Sequence, residues 1–217
     1  MSQTSSINRS VLSETSSLTR YDLEIIVTMI NDGSRVLDIG CGDGALLDYL
    51  GRNKSVDGRG IEISQDGVNA CVANGLSVIQ GDADTDLEYF PDDAFDYVLL
   101  TRTLQATRNP REVVSHLVRI GRHAIVSFTN FGHWRVRLEM LLRGRMPIVG
   151  DEKASWYDTP NIHLCTIRDF SKLCDDLGLK VQQALSVSRA GSARRLNSAG
   201  AAANICGEEA IFVLTRE

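Results

Sequence analysis

Carboxylates gathered around a glycine turn are the residues of this chain whose types and spacing most clearly imply chemistry. Between Arg35 and Gly44 the sequence reads Arg-Val-Leu-Asp-Ile-Gly-Cys-Gly-Asp-Gly, so Asp38, Gly40, Cys41, Gly42, Asp43 and Gly44 fall in one short stretch. Glycines at every second position allow main-chain dihedrals closed to other residues and let a ligand approach the backbone. Gly40, Gly42 and Ala45 fit the G-x-G-x-x-G/A pattern that seats a pyrophosphate on helix amides. The charge argues the other way. Asp38, two residues before the first glycine, and Asp43, inside the turn, would both repel a doubly charged pyrophosphate at short range. A cationic ligand is stabilised by the same acids, which disfavours a nicotinamide enzyme. S-adenosylmethionine, with a sulfonium and an ammonium against one carboxylate, has that balance.

Further acids repeat the pattern downstream. Glu62, followed by Ile63, closes the next apolar segment and follows Gly40 by about 20 residues, the spacing at which a strand-end acid accepts ribose hydroxyl protons. After Leu76–Gln80 come Gly81, Asp82 and Ala83. The text D-x-G-x-G-x-G resembles motif I of the class I S-adenosylmethionine-dependent methyltransferases. That resemblance implies that Asp82 and Ala83 hold the position where a carboxylate receives the adenine amino group, and that Thr101, at the end of the fourth strand, contacts the methionine part. Each residue also has a plain structural alternative. Asp38 can satisfy turn amides, Glu62 can be a solvated strand end, Asp82 can cap the next helical turn, and the Thr101 hydroxyl can bond to backbone. Cys41 is assigned packing or backbone contact rather than nucleophilic work.

These residues need strands that end side by side. Val36, Leu37 and Ile39 read as a short buried strand, and Ala45 to Leu50 as the helix that follows. Gly58–Ile63, Leu76–Gln80, Phe95–Leu100 and Arg122–Thr129 read as further strands. Between them, Ser64 caps a helix ending at Asn74-Gly75, Thr85–Phe90 makes one short helical turn, and Asn109-Pro110 starts a helix with the apolar stripe Val113, Val114, Leu117, Val118 and Ile120. Leu23, Ile26, Val27 and Ile30 mark a helix before the first strand. Strand and helix alternation specifies an α/β, doubly wound, mostly parallel sheet, with its ligand crevice at the carboxyl strand ends. Thr166–Leu177 reads as a helix, Leu179–Val187 and Glu209–Leu214 as two last strands, and Arg189–Asn204 as a mobile loop. The methyltransferase resemblance implies a seven-stranded, Rossmann-like sheet with one antiparallel strand in its closing hairpin.

The 217 residues suffice for one domain with a sizeable core. The expected organisation is a mobile Ser/Thr-rich tail over 1–19 and one S-adenosylmethionine-binding domain over 20–217. A net charge of −5 leaves no footprint for nucleic acid or an acidic membrane. No run approaches the roughly 18 apolar residues of a spanning helix, and Met1 opens a polar stretch without a signal-peptide core, so a cytoplasmic protein is expected. Five cysteines without a C-x-x-C pair argue against a disulfide framework or a structural zinc site. His163 and Cys165 offer half a metal site that no other cluster completes.

The segment 130–163 is the least ordinary part of the chain. It holds Asn130-Phe-Gly-His133-Trp134-Arg135, then Arg137, Arg143, Arg145 and Met146-Pro147, then Trp156-Tyr157-Asp158-Thr159-Pro160-Asn161-Ile162-His163. Trp134, Leu138, Leu141 and Leu142 share one helical face. Such a stripe either covers a sheet edge, docks a partner through residue types enriched at interface hot spots, or forms a substrate lid. With the glycine loop, N-F-G-H-W-R, G-R-M-P and W-Y-x-T-P-N-I-H, the chain resembles the MetW family of methionine biosynthesis proteins over roughly Tyr21–Val187. The resemblance implies a class I methyltransferase fold and action with homoserine O-acyltransferase. Two functions follow. One is an accessory subunit that binds S-adenosylmethionine or S-adenosylhomocysteine and couples its occupancy to the acyltransferase. The other is a small-molecule methyltransferase with His133, Tyr157 or His163 as proton acceptor. Many methyltransferases of this class carry histidine at the positions of Gln105 and Ala106, and its lack here favours the first.

Overall fold

The computed structural model describes residues 20–147, 155–188, 191–196 and 201–216. The segment 1–19, expected as a mobile tail, lies outside the described residues. In chain order the elements are α1 (Tyr21–Met29), β1 (Arg35–Ile39), α2 (Ala45–Lys54), β2 (Asp57–Glu62), α3 (Gln65–Ala73), β3 (Ser77–Gln80), β4 (Phe95–Thr101), α4 (Pro110–Ile120) and β5 (Gly121–Thr129). They continue as α5 (Trp134–Arg143), α6 (Ile167–Asp176), β6 (Lys180–Val187), β7 (Ala193–Arg195), α7 (Ala201–Cys206) and β8 (Glu209–Thr215).

The strands form one sheet in the order β3-β2-β1-β4-β5-β8-β6-β7. The first five are mutually parallel, β8 runs antiparallel to both β5 and β6, and β7 runs antiparallel to β6. The sheet therefore has eight strands where seven were expected. The extra strand and α7 both fall in the stretch expected to be a loop. Three alanines, the strongest helix formers, open α7, and β7 needs only the free edge of β6 to pair with.

Both faces of the sheet are covered, which is why its strands read as continuous apolar runs. Leu37, Ile39, Val98, Leu100, Val126 and Phe128 point to the side of α4 and α6. Val36, Leu99, Ile125, Ile211 and Val213 point to the side of α1 and α2. On the first side Phe128, Phe170 and Phe212 pack with centroids 4.9–5.9 Å apart. Each fully buried ring contributes roughly 1.5–3 kcal/mol of transfer free energy. Local signals start the helices where expected. Ser64 caps α3, Pro110 occupies the first turn of α4, and Thr166 with Asp169 forms a reciprocal capping box at α6. The chain runs outward from β1 to β3, then returns to add β4 and β5 on the other side. The topological switch thus lies between β1 and β4, where their carboxyl ends open a crevice.

Candidate functional site

The glycine turn fills the β1 side of that crevice. Gly40, Gly42 and Gly44 have φ of +73°, +59° and +79°, values in the left-handed region that side chains disfavour. The turn is sewn to β2, because Gly40 N–H donates to the Ile61 carbonyl at 2.8 Å and Cys41 N–H to the same oxygen at 3.2 Å. A Cβ on Gly40 would meet Thr103 Oγ1 at 2.5 Å, and one on Gly67 would meet the Gly42 carbonyl at 2.9 Å. The loop is thereby clasped between the segment after β4 and the first turn of α3.

Glu62 and Asp38 divide the electrostatics. Glu62 is buried, not a solvated strand end, and its carboxylate accepts from Gly42 N–H on Oε2 and from Ser64 N–H on Oε1, both at 2.8 Å. One lone pair on each oxygen is spent on the fold, and each oxygen can accept one more donor. Asp38 does not satisfy the turn amides. It is 1% exposed and its Oδ1 has no hydrogen-bond partner. Burial is the leading cause that pushes its carboxyl up to about 7; the Arg20 guanidinium opposes this and the Glu62 charge adds to it. A buried acceptor without a donor is costly, and a cation or donor placed beside it relieves that cost. Asp43 stays exposed and accepts from Ala45 N–H at 3.2 Å, at the start of α2.

Cys41 packs among Leu47 and Cys71, with its sulfur 4.0 Å from that of Cys71. Burial raises the Cys41 and Cys71 thiols and pushes those of Cys165 and Cys174 up to about 12. None of the four presents a thiolate near neutral pH. Ile63, just past β2, is 64% exposed and offers an apolar surface at the crevice edge.

At the end of β3, Asp82 is held on both oxygens. Oδ1 accepts from Asp84 N–H at 2.9 Å and Oδ2 from the Arg108 guanidinium. Asp84 in turn accepts the N–H groups of Arg108 and Asn109, each at 2.8 Å, so the two acids tie the loop after β3 to the approach of α4. Ala83 packs against the core. Thr101 ends β4 buried, and its carbonyl accepts from Thr103 Oγ1 at 3.2 Å.

Within 130–163, the described residues separate into a structural knot and an exposed surface. Asn130 is fully buried and spends its whole side chain on backbone: Nδ2 donates to the Asn204 and Gly207 carbonyls, and Oδ1 accepts from Gly132 and Ile167 N–H. His133 is also buried, and its Nδ1 accepts from Arg135 N–H at 3.3 Å as the cap of α5. A nitrogen so engaged is not poised as a base. Gln105 is buried and donates to the Thr129 carbonyl, while its own carbonyl accepts from Ile162 and His163 N–H at 2.8 and 2.9 Å. His163 Nε2 faces the Arg108 carbonyl at 3.1 Å, so that nitrogen is the donor. Asn161 N–H donates to Thr159 Oγ1 at 3.2 Å.

The apolar face of α5 does not cover the sheet. Val136 is the buried residue of this helix, whereas Trp134, Leu138, Leu141 and Leu142 are 42–80% exposed. Trp156 and Tyr157, stacked edge-on at 5.6 Å, are exposed too. The Arg135 guanidinium lies over the Trp134 ring at 5.3 Å and near Glu208. Sequence reasoning passed over Arg20, Thr103 and Arg108. Arg108 meets Asp82 and Asp84 across 26 and 24 residues of chain, a separation at which no local sequence signal pairs them. Among the described residues, no cluster of His, Cys, Asp and Glu is arranged to hold a metal ion, and no helix is long and apolar enough to cross a membrane.

Comparison with known proteins gives the family and the fold. The family model described as methionine biosynthesis protein MetW matches residues 20–214. The bifunctional methionine biosynthesis protein MetXA/MetW of Rhodopirellula baltica is 37% identical over 171 residues, which is 75% of this chain and 27% of that protein. A fatty-acid O-methyltransferase of Mycolicibacterium smegmatis is 38% identical over 97 residues, or 41% of this chain and 35% of that one. The chain thus spans about a quarter to a third of the length of these curated relatives. Among solved structures, a methyltransferase of Thermotoga maritima superposes with a TM-score of 0.66 at 16% identity, covering 91% of this chain and 88% of that one. An S-adenosylmethionine-dependent methyltransferase of Archaeoglobus fulgidus gives 0.62 at 15% identity, over 96% and 100%. At such identities these likenesses speak for the fold.

Proposed function

The chain belongs to the MetW family of methionine biosynthesis proteins, and on that premise we propose that it is an accessory protein that binds S-adenosylmethionine or S-adenosylhomocysteine and acts with homoserine O-acyltransferase. The observation that carries the ligand reading is the buried Asp38 with its Oδ1 unpaired, beside a glycine turn held open by Glu62. These residues fit the group. Glu62 keeps one lone pair per oxygen for the ribose diol. Asp38 and Asp43 set negative charge against the cationic methionine end. Ile63 would meet the adenine face, Asp82 and Ala83 its polar edge, and Thr101 the methionine part. The cofactor, when bound, supplies an electrophilic methyl group.

The partner reading rests on the fused MetXA/MetW relative and on the exposed residues of 134–147 and 155–162. One chain carrying both names places the two activities together in that relative. Here the exposed Trp134, Leu141, Leu142, Trp156 and Tyr157 are the side chains proposed to meet the acyltransferase; aromatic anchors of this kind dominate interface energetics. His133 supports that surface from beneath, and Arg135, Asn161 and His163 belong to it.

The methyltransferase reading draws on the fatty-acid O-methyltransferase relative. Against it, Gln105 is buried and cannot take a proton, and His133 Nδ1 is committed to its helix cap. The test is recovery of homoserine O-acyltransferase from native extract by the tagged protein, with and without S-adenosylmethionine. The expected outcome is capture that depends on the cofactor and drops at least fivefold for Trp134→Ala, while cofactor binding persists. Loss of cofactor binding in Trp134→Ala with undiminished capture would identify a substrate lid and overturn the docking assignment.

A further inference from the structure

We infer that Arg108 and His163 form a relay through which occupancy of the crevice at Asp82 sets the position of the exposed Trp156–Tyr157 segment. This rests on the proposed adenosine site and adds to it a route to the docking surface.

The route is a continuous run of hydrogen bonds. Asp82 Oδ1 accepts from Asp84 N–H at 2.9 Å, Asp84 Oδ2 accepts from Arg108 N–H at 2.8 Å, and the Arg108 carbonyl accepts from His163 Nε2 at 3.1 Å. The Arg108 guanidinium closes the circuit, reaching back to Asp82 and lying 3.6 Å from Asp84. Beside it, the Gln105 carbonyl takes the N–H groups of Ile162 and His163, so the end of the aromatic segment is fastened to the strip of chain that carries Arg108. The parts differ in freedom. Asp84 is nearly buried and fixes the Arg108 backbone, whereas the guanidinium is two-thirds exposed and can leave Asp82.

A donor arriving at Asp82 competes with that guanidinium for the same carboxylate. The adenine amino group is such a donor. A carboxylate that turns to meet a new donor shifts its bonds to the Arg108 guanidinium and to Asp84 N–H together, and Asp84 Oδ2 hands that shift to the Arg108 backbone and so to His163; coupling of two sites requires a differential contact of this kind. Arg108 is thus a positioning residue, acting through Asp82 on one side and His163 on the other.

Both tryptophans of the chain belong to the proposed docking surface, so Trp134→Phe leaves Trp156 as the sole tryptophan, excited selectively above the tyrosine band. In that background, S-adenosylhomocysteine is titrated with Trp156 emission and acrylamide quenching as one readout and calorimetric heat as the other. The relay predicts a quenching constant that changes at least 1.5-fold and saturates with the same midpoint as the heat. Arg108→Met and His163→Ala should abolish the fluorescence response while saturable calorimetric binding persists, and Arg108→Lys, which keeps a cation on Asp82, should restore part of it. A full response in both loss variants, or binding heat without any response in the parent, overturns the relay. Absence of binding heat in the parent overturns the nucleoside reading itself and the relay with it.

Discussion

Asp38 and Glu62 share one crevice and behave oppositely, because their surroundings differ. Glu62 gains two backbone donors on folding, while Asp38 gains burial and no donor for Oδ1. With its folded value raised to about 7, Asp38 keeps a proton that the unfolded chain releases near pH 4. The native state therefore binds more protons than the unfolded state between about pH 4 and 7, and stability falls as pH rises across that window. The displacement corresponds to about 4 kcal/mol. Asp38→Asn should flatten this stretch of the stability profile in urea titrations from pH 4 to 8, and an unchanged slope would contradict the assignment. A cationic ligand reverses the balance by favouring the ionised form. Its binding near pH 6 should expel a proton, seen as calorimetric heat that varies with buffer ionisation enthalpy in the parent and not in Asp38→Asn. The acids and glycines of this site were legible from their spacing. Which acid serves the fold and which stands unpaired was not, since that depends on the position of Gly42 N–H and Ser64 N–H in space.

At the scale of elements, α5 has the composition of a core helix and the exposure of a surface one. Its stripe of Trp134, Leu138, Leu141 and Leu142 satisfies the helical period, but periodicity says only that a face exists, not what covers it. Val136→Ala should destabilise the protein by about 1–3 kcal/mol in chemical denaturation, because it opens a void in packed surroundings. Leu141→Ser, on the exposed face, should stay within about 0.5 kcal/mol. Equal losses at both sites would show that the stripe is packed after all. Asn130 organises the ends of β5, α6 and α7 through bonds to four backbone groups, and Asn130→Ala should cost about 2–4 kcal/mol. Sequence pattern located the strands that carry the crevice, since buried parallel strands are apolar throughout. It missed β7 and α7, where Ala, Ser and Arg resemble loop composition and a short strand gains its structure from the edge it joins.

Across the whole molecule, the sheet order sets β1 and β4 side by side at the switch point; Asp38 and Glu62 lie at the carboxyl ends of β1 and β2, and Asp43 and Asp82 follow β1 and β3. The fold was readable because strand and helix alternate with clear caps and a right-handed crossover leaves few other topologies. The contacts made by 155–163 were not, because hydrogen bonds to Gln105 and Arg108 join segments remote in sequence. The claim on which the account turns is that this acidic rim selects a positively charged nucleoside over an anionic dinucleotide. Calorimetric titration of the full chain with S-adenosylmethionine and, separately, with NAD tests it most directly. The account predicts saturable one-site binding of S-adenosylmethionine that weakens at least tenfold in Glu62→Ala and Glu62→Gln, and no heat with NAD. Binding of NAD, or S-adenosylmethionine affinity unchanged in both Glu62 variants, would contradict it.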